Sequence, residues 1–180
     1  MNDVKRIRVW AIATVLVAAV PVRADLEMRI VTGPGVKFAV PADASRGRFT
    51  PQADGRSRYE VTAGVGGLGK LSVVVGHRGD PEASLQNEVQ GAQALARTAH
   101  FRRTEVRTVE VNRGRGVQGV EHASQGREVA HCITWSKKRQ FEFRLEGARS
   151  GVDPLHHPVW KKLLASFRSD EPPLKGRIGK

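Results

Sequence analysis

An α+β fold, an antiparallel β-sheet flanked by helices, is the class that this 180-residue sequence predicts. Two observations carry it. Short apolar or alternating runs, separated by Gly, Pro and Asn turn residues, recur along most of the chain. Two segments, near 80–99 and 153–168, instead place apolar residues at helical spacing. The order is strand, strand, loop, hairpin, helix, a four-strand meander and a closing helix. Packing helices on the sheet faces buries both apolar stripes.

The elements follow in order. Residues 26–32 read as a short strand, and Gly33-Pro34-Gly35 as a turn, since proline sets φ and glycine admits positive φ. VKFAV, 36–40, puts Val36, Phe38 and Val40 on one face and stops at Pro41. Residues 42–55 are polar and read as a loop. RYEVTA, 58–63, is a strand, and GVGGLG, 64–69, a flexible hairpin connection. KLSVVVGH, 70–77, is a strand whose Val run suggests burial on both faces. Asp80-Pro81-Glu82 reads as a helix start, with Asp80 as cap and Pro81 at the first helical position. Leu85, Val89, Ala92, Ala96 and Ala99 then form one helix face.

Residues 102–111 alternate, and Asn112-Arg113-Gly114 turns. Residues 117–124 pair with 127–136 around Gln125-Gly126, and 127–136 with 139–147 around Lys137-Lys138. Two-residue links place Ala130, Cys132 and Thr134 with Phe141, Phe143, Leu145, Gly119 and Ala123 on the core face. The other face then carries Val120, His122, Val129, His131, Ile133 and Trp135 beside Gln140, Glu142, Arg144 and Glu146. The last helix starts near Asp153-Pro154 or at Pro158, with Leu155, Val159, Trp160, Leu163, Leu164 and Phe167 as its apolar stripe. Residues 169–180, Pro-rich and charged, read as a disordered basic tail.

The first 24 residues have the three parts of a secretory signal peptide. Lys5, Arg6 and Arg8 precede a 12-residue apolar run, 9–20; Pro21 breaks it; Val22 and Ala24 are small residues at a cleavage site after Ala24. The run is short of the about 20 residues that span a bilayer, so export to the periplasm or beyond is expected, with no transmembrane segment in the mature chain. Cleavage would leave one domain, 25–168, followed by the tail. It would take four basic residues and one acid, lowering the formal charge from +12 to +9. A basic exported protein tends to meet anionic partners. Cys132 is the only cysteine, so no internal disulfide forms. Its strand position suggests a buried small hydrophobe.

Three pieces carry a family resemblance. VKFAVP, 36–41, resembles the opening strand of the PsbP-like family. GVQGVEHAS, VAHCITW and FEFRLEG, within 116–147, resemble its central meander. VWKKLLASFR, 159–168, resembles its final helix. The resemblance implies an α/β/α sandwich of the kind found in extrinsic lumenal photosystem II proteins and in exported bacterial proteins. It implies a binding or assembly role and transfers no chemistry.

Candidate site residues fall into a few groups. His122, His131 and Glu142, on one face in the register above, could form a Zn²⁺ or Cu²⁺ site. The alternative is two histidines half-covered by the second helix. No other cofactor is implied. His156-His157 cannot both face one metal from a helix and reads as a solvated helix start. His77-Arg78-Gly79-Asp80 offers a His–Asp pair but no nucleophile with a base and an oxyanion hole. GVGGLG lacks the GK[ST] ending and the following helix of a phosphate loop. The chain is therefore read as non-catalytic. Basic residues gather at Arg46, Arg48, Arg56 and Arg58, at Arg97, Arg102, Arg103 and Arg107, and at Lys137, Lys138 and Arg139. Aromatics among them are few, which argues against nucleic acid, since stacking platforms need more. The leading expectation is an exported binding or assembly module that meets a protein or anionic envelope component through Arg46, Arg48, Arg56 and Arg58, with the GVGGLG tip beside them. A metal-binding protein, and a small lipid or ligand carrier using the sheet face near Trp135, are the alternatives.

Overall fold

The computed structural model describes residues 26–65, 67–98 and 106–176. The expected signal peptide, Gly66 of the glycine tip, Ala99, Arg102 and Arg103 lie outside the described residues. Ten strands and two α-helices are described, in the order β1 (Met28–Gly33), β2 (Val36–Pro41), β3 (Phe49–Pro51), β4 (Ser57–Thr62), β5 (Leu68–His77), α1 (Leu85–Thr98), β6 (Arg107–Val111), β7 (Gly114–His122), β8 (Glu128–Trp135), β9 (Arg139–Gly147), α2 (Pro158–Ser166) and β10 (Arg168–Ser169).

The strands form two antiparallel sheets, which corrects the expected helix-flanked α/β/α arrangement. The smaller sheet has the order β1-β2-β10 and the larger β3-β4-β5-β9-β8-β7-β6. The chain is mostly β. A sandwich of the expected kind needs a helical layer over each face of one sheet, and neither helix is long enough to supply it. Helix α1 spans roughly 21 Å at 1.5 Å per residue and covers one end of one face. The opposite face is covered by the small sheet with the nine-residue α2 beside it. Strands β3 and β10, both unforeseen, complete the sheets.

The core lies between the two sheets. Tyr59, Leu71, Val73, Phe141, Phe143, Leu145, Ala130, Cys132 and Val120 point from the large sheet toward Val36, Phe38 and Val40 of β2, and toward Trp160, Leu163 and Phe167 of α2. The rings meet edge to face: Phe38 and Tyr59 lie 5.4 Å apart at 75°, Phe143 and Phe167 4.9 Å apart at 76°. Fully burying one such ring contributes about 1.5–3 kcal/mol. A smaller cluster forms on the other face of the large sheet, where Leu85 and Val89 of α1 cover Val117 and Trp135.

Both helices begin one turn or more after an Asp-Pro pair. Ser84, not Asp80, caps α1: its Oγ accepts from Asn87 N at 3.2 Å. Asp80 instead folds a preceding turn by accepting from Glu82 N at 2.9 Å. Pro158 opens α2, and His157 Nδ1 accepts from Val159 N at 3.2 Å.

The meander differs from expectation at one turn. Lys137-Lys138 does form a two-residue link, with Ser136 N donating to Arg139 O at 2.9 Å. Around Gln125-Gly126 the link is longer. Ala123 N donates to Arg127 O at 2.9 Å, so residues 124–126 form the turn, and Gln125 and Gly126 take φ of 62° and 68°. Val120 therefore faces Ala130, Glu121 faces Val129 and His122 faces Glu128. A slip of one residue turns every β7 side chain to the opposite face. Val120 is buried in the core as a result.

The expected disordered tail is docked as far as Gly176. Arg168 and Ser169 pair with Lys37 and Val36, Pro173 bridges to Ser136, and Leu174 N donates to Trp135 O at 3.0 Å. Glu171 accepts from Ser136 Oγ at 2.6 Å and from Lys138 N at 3.2 Å. Composition misled here because the segment is held by polar partners distant in sequence and one leucine, not by an apolar stripe of its own.

Candidate functional site

The large sheet leaves part of its outer face open. Period-2 alternation decides what that face carries. On β9, Phe141, Phe143 and Leu145 point inward while Glu142, Arg144 and Glu146 point outward. Register adds Arg58 and Glu60 from β4, Lys70, Ser72 and Val74 from β5, Val129 and His131 from β8, and Glu121 from β7. Helix α1 covers only the end near β6, β7 and Trp135.

The open face is a lattice of charge pairs. Lys70 Nζ lies 3.1 Å from Glu60, and Arg58 4.0 Å from the same carboxylate. Arg127 pairs with Glu146 at 2.5 Å, Arg144 with Glu121 at 2.8 Å, and His131 Nε2 with Glu142 at 3.2 Å. Arg56 stands 3.8 Å from Glu142. The hydrogen bond from His131 holds the Glu142 carboxyl below its ordinary 4.5, helped by the charge of Arg56 and Arg144 and opposed by partial burial. Exposed pairs of this kind add roughly 0–1 kcal/mol each, so stability alone does not account for nine charged side chains on one face. Near its middle, Arg58, Lys70, Arg144, Glu60 and Glu146 ring a depression of about 170 Å³ with Ser72 and Val129 in its lining.

The four expected partner-binding arginines, all exposed, lie along one edge of this sheet. Arg56 and Arg58 stand on the outer face at β4. Arg46 and Arg48 sit in a stretch that runs beside β4: Ser45 N donates to Thr62 O at 3.1 Å, and Thr62 N to Ser45 Oγ at 2.9 Å. Gly47 permits that close approach, since a Cβ there would come within 2.5 Å of Val61 Cγ1 and 2.8 Å of the Glu60 carbonyl. Arg29 pins the stretch by donating to Ser45 O at 2.9 Å. At the glycine tip, a Cβ on Gly64 would lie 3.6 Å from Asp43 O, so the two connections adjoin.

The proposed metal ligands are not brought together. His131 and Glu142 meet on the open face, whereas the β7 register puts His122 on the opposite face, 54% exposed and 3.9 Å from Glu128. Among the described residues no group of three or more His, Cys, Asp or Glu side chains is placed to hold a metal ion. The face near Trp135, expected to be partly open to a lipid or ligand, is filled: Trp135 is buried under Leu85, Val89 and Leu174, and its Nε1 donates to Gln140 at 3.3 Å.

Other candidates have structural partners. Arg78 is buried and ties three segments, donating to Glu88 at 2.9 Å, to Pro81 O at 3.1 Å and to Lys137 O at 2.9 Å. Arg139 bonds Pro34 O at 3.0 Å and pairs with Glu171 at 3.3 Å. His156 pairs with Asp153 at 2.7 Å on the surface. Cys132 is buried in the core, which pushes its thiol pKa far up. The sequence pattern puts Glu146 on this face, while Lys70, Ser72 and Glu60 carry no site motif. The alternation of RYEVT and FEFRLEG marks several of them as outward-facing, but which part of that face stays open depends on where α1 lands. Among the described residues no helix is long and apolar enough to cross a membrane. Compared with protein families and with curated proteins, the chain matches none.

Proposed function

We propose that this chain is an exported, non-catalytic binding module. It presents the open charged face of its large sheet to an anionic partner, an acidic protein or an anionic envelope polymer. Arg46, Arg48, Arg56 and Arg58 form the rim. The observation that carries the reading is the placement of these four exposed arginines along the edge of a sheet face that α1 leaves uncovered. The formal charge of +9 left after cleavage supports it, because a positive field raises the encounter rate with anionic surfaces. The basic head, apolar run and small-residue exit of residues 1–24 support export.

The test is fluorescence anisotropy of labelled poly-glutamate titrated with purified protein. Changing the four arginines together to serine should weaken binding about tenfold or more, equivalent to about 1.4 kcal/mol. Raising the salt should weaken the parent protein more than the variant. Equal affinities for the two proteins refute the assignment.

A further inference from the structure

Ser72 has an environment that the charge lattice does not explain. It lies in the middle of the large sheet, only 7% exposed, with its side chain in the depression on the open face. Its direct neighbours across the ladder are Glu60 on β4 and Arg144 on β9. Among the described residues its hydroxyl has no hydrogen-bond partner. That hydroxyl opens into a polar hollow with its hydrogen-bonding capacity uncommitted, so it is available to a group bound there.

The surrounding groups determine what that partner must be. The acceptors are already engaged: Glu60 by Lys70 at 3.1 Å and Glu146 by Arg127 at 2.5 Å. The donors are not exhausted. Arg58 makes no side-chain hydrogen bond among the described residues, and its nearest carboxylate oxygen is 4.0 Å away. Arg144 commits one Nη to Glu121 at 2.8 Å. A guanidinium carries five N–H donors, so the two arginines and the hydroxyl leave a surplus of donors in the lining of the depression. The fork geometry of guanidinium suits carboxylate and phosphate oxygens.

We propose that the Ser72 depression is an oxyanion-binding site, which takes a carboxylate or phosphoryl group between Arg58 and Arg144 with the Ser72 hydroxyl donating from the floor. It rests on the reading of the open face as a binding surface and names the chemical group that this surface seats. Lys70 supplies a third positive charge at the rim of the depression and pairs with Glu60 there at 3.1 Å.

The test is an NMR titration of the purified protein with inorganic phosphate in one arm and acetate in the other. Saturable shifts at Ser72, Arg58 and Arg144 are expected in at least one arm. The arm that saturates at lower concentration identifies phosphoryl or carboxylate chemistry. Ser72→Ala, a small change in a central strand, should weaken binding about fivefold or more, in the range for losing one hydrogen bond to a charged group. Arg144→Gln, on the exposed face, gives a second reading if Ser72→Ala disturbs the fold. Shifts that rise without saturating and spread over all surface arginines overturn the site, as does unchanged affinity in both variants. No saturable binding in either arm while poly-glutamate still binds removes the site and leaves the proposed function. Saturable binding in either arm when poly-glutamate does not bind removes the arginine rim and leaves the site.

Discussion

Replacing Glu171 with alanine should loosen the closing segment and destabilise the whole domain. The Glu171 carboxylate is 19% exposed and has three partners: Ser136 Oγ at 2.6 Å, Lys138 N at 3.2 Å and Arg139 Nε at 3.3 Å. Ser136 is 1% exposed, so its hydroxyl loses the carboxylate without water to replace it. A hydrogen bond to a charged group contributes about 1.5–3 kcal/mol. The Arg139 pair is partly exposed and adds less than about 1 kcal/mol. Glu171→Ala should therefore cost about 2–3 kcal/mol, and more if Leu174 also lifts from Leu85 and Trp135. Glu171→Gln keeps an oxygen for Ser136 and Lys138 and should cost less than about 1 kcal/mol. The assay is urea unfolding followed by tryptophan fluorescence, which reports on Trp135 beside the segment and Trp160 in the core. For a domain of this size each kcal/mol also lowers Tm by roughly 2–4 °C. A loss below about 0.5 kcal/mol for Glu171→Ala, or equal losses for alanine and glutamine, would refute the reasoning.

Two further changes probe the edge and the open face. Gly47→Val should destabilise by about 1–3 kcal/mol, because its Cβ would meet Val61 Cγ1 at 2.5 Å and a backbone carbonyl at 2.8 Å; a midpoint in urea equal to the parent's contradicts the packing of residues 45–48 on β4. Glu142 titrates below its ordinary 4.5 in the folded state, with the hydrogen bond from His131 as the leading cause, so its contribution is fully present above about 4.5 and is lost as pH falls through the lower folded value. The stability difference between the parent and Glu142→Gln, measured by urea unfolding from about pH 7 to about pH 3, should thus be level at the upper end and shrink at the lower; a difference that stays level throughout shows that the carboxyl is not held down.

Much of the strand pattern is legible without coordinates. The alternation in FEFRLEG assigns Phe141, Phe143 and Leu145 to one side and Glu142, Arg144 and Glu146 to the other, and the structure keeps that assignment. The apolar stripe of α2 and the turn at Lys137-Lys138 are equally readable. The β7 face was not, because a turn that holds one residue more than Gln125-Gly126 suggests inverts it, and local composition does not report turn length. His122 left the proposed metal set for that reason alone. Strand β3 has three residues and Pro51 at its end, too little pattern to stand out from a loop. Its pairing with Tyr59 makes it a strand.

By itself the sequence determined which side of each strand is apolar, where the helical stripe of α2 lies, and that the four arginines fall close together around a short polar stretch. These are properties of neighbouring residues, and steric preference and hydrophobic period write them locally. Only the tertiary structure decided that a second sheet rather than a helical layer covers the core face, that α1 leaves part of the other face open, and that the closing segment docks through Glu171. Each of those outcomes is a contest between surfaces far apart in the chain. Contacts such as Ser136 to Glu171, 35 residues apart, settle it once the whole chain has found its register.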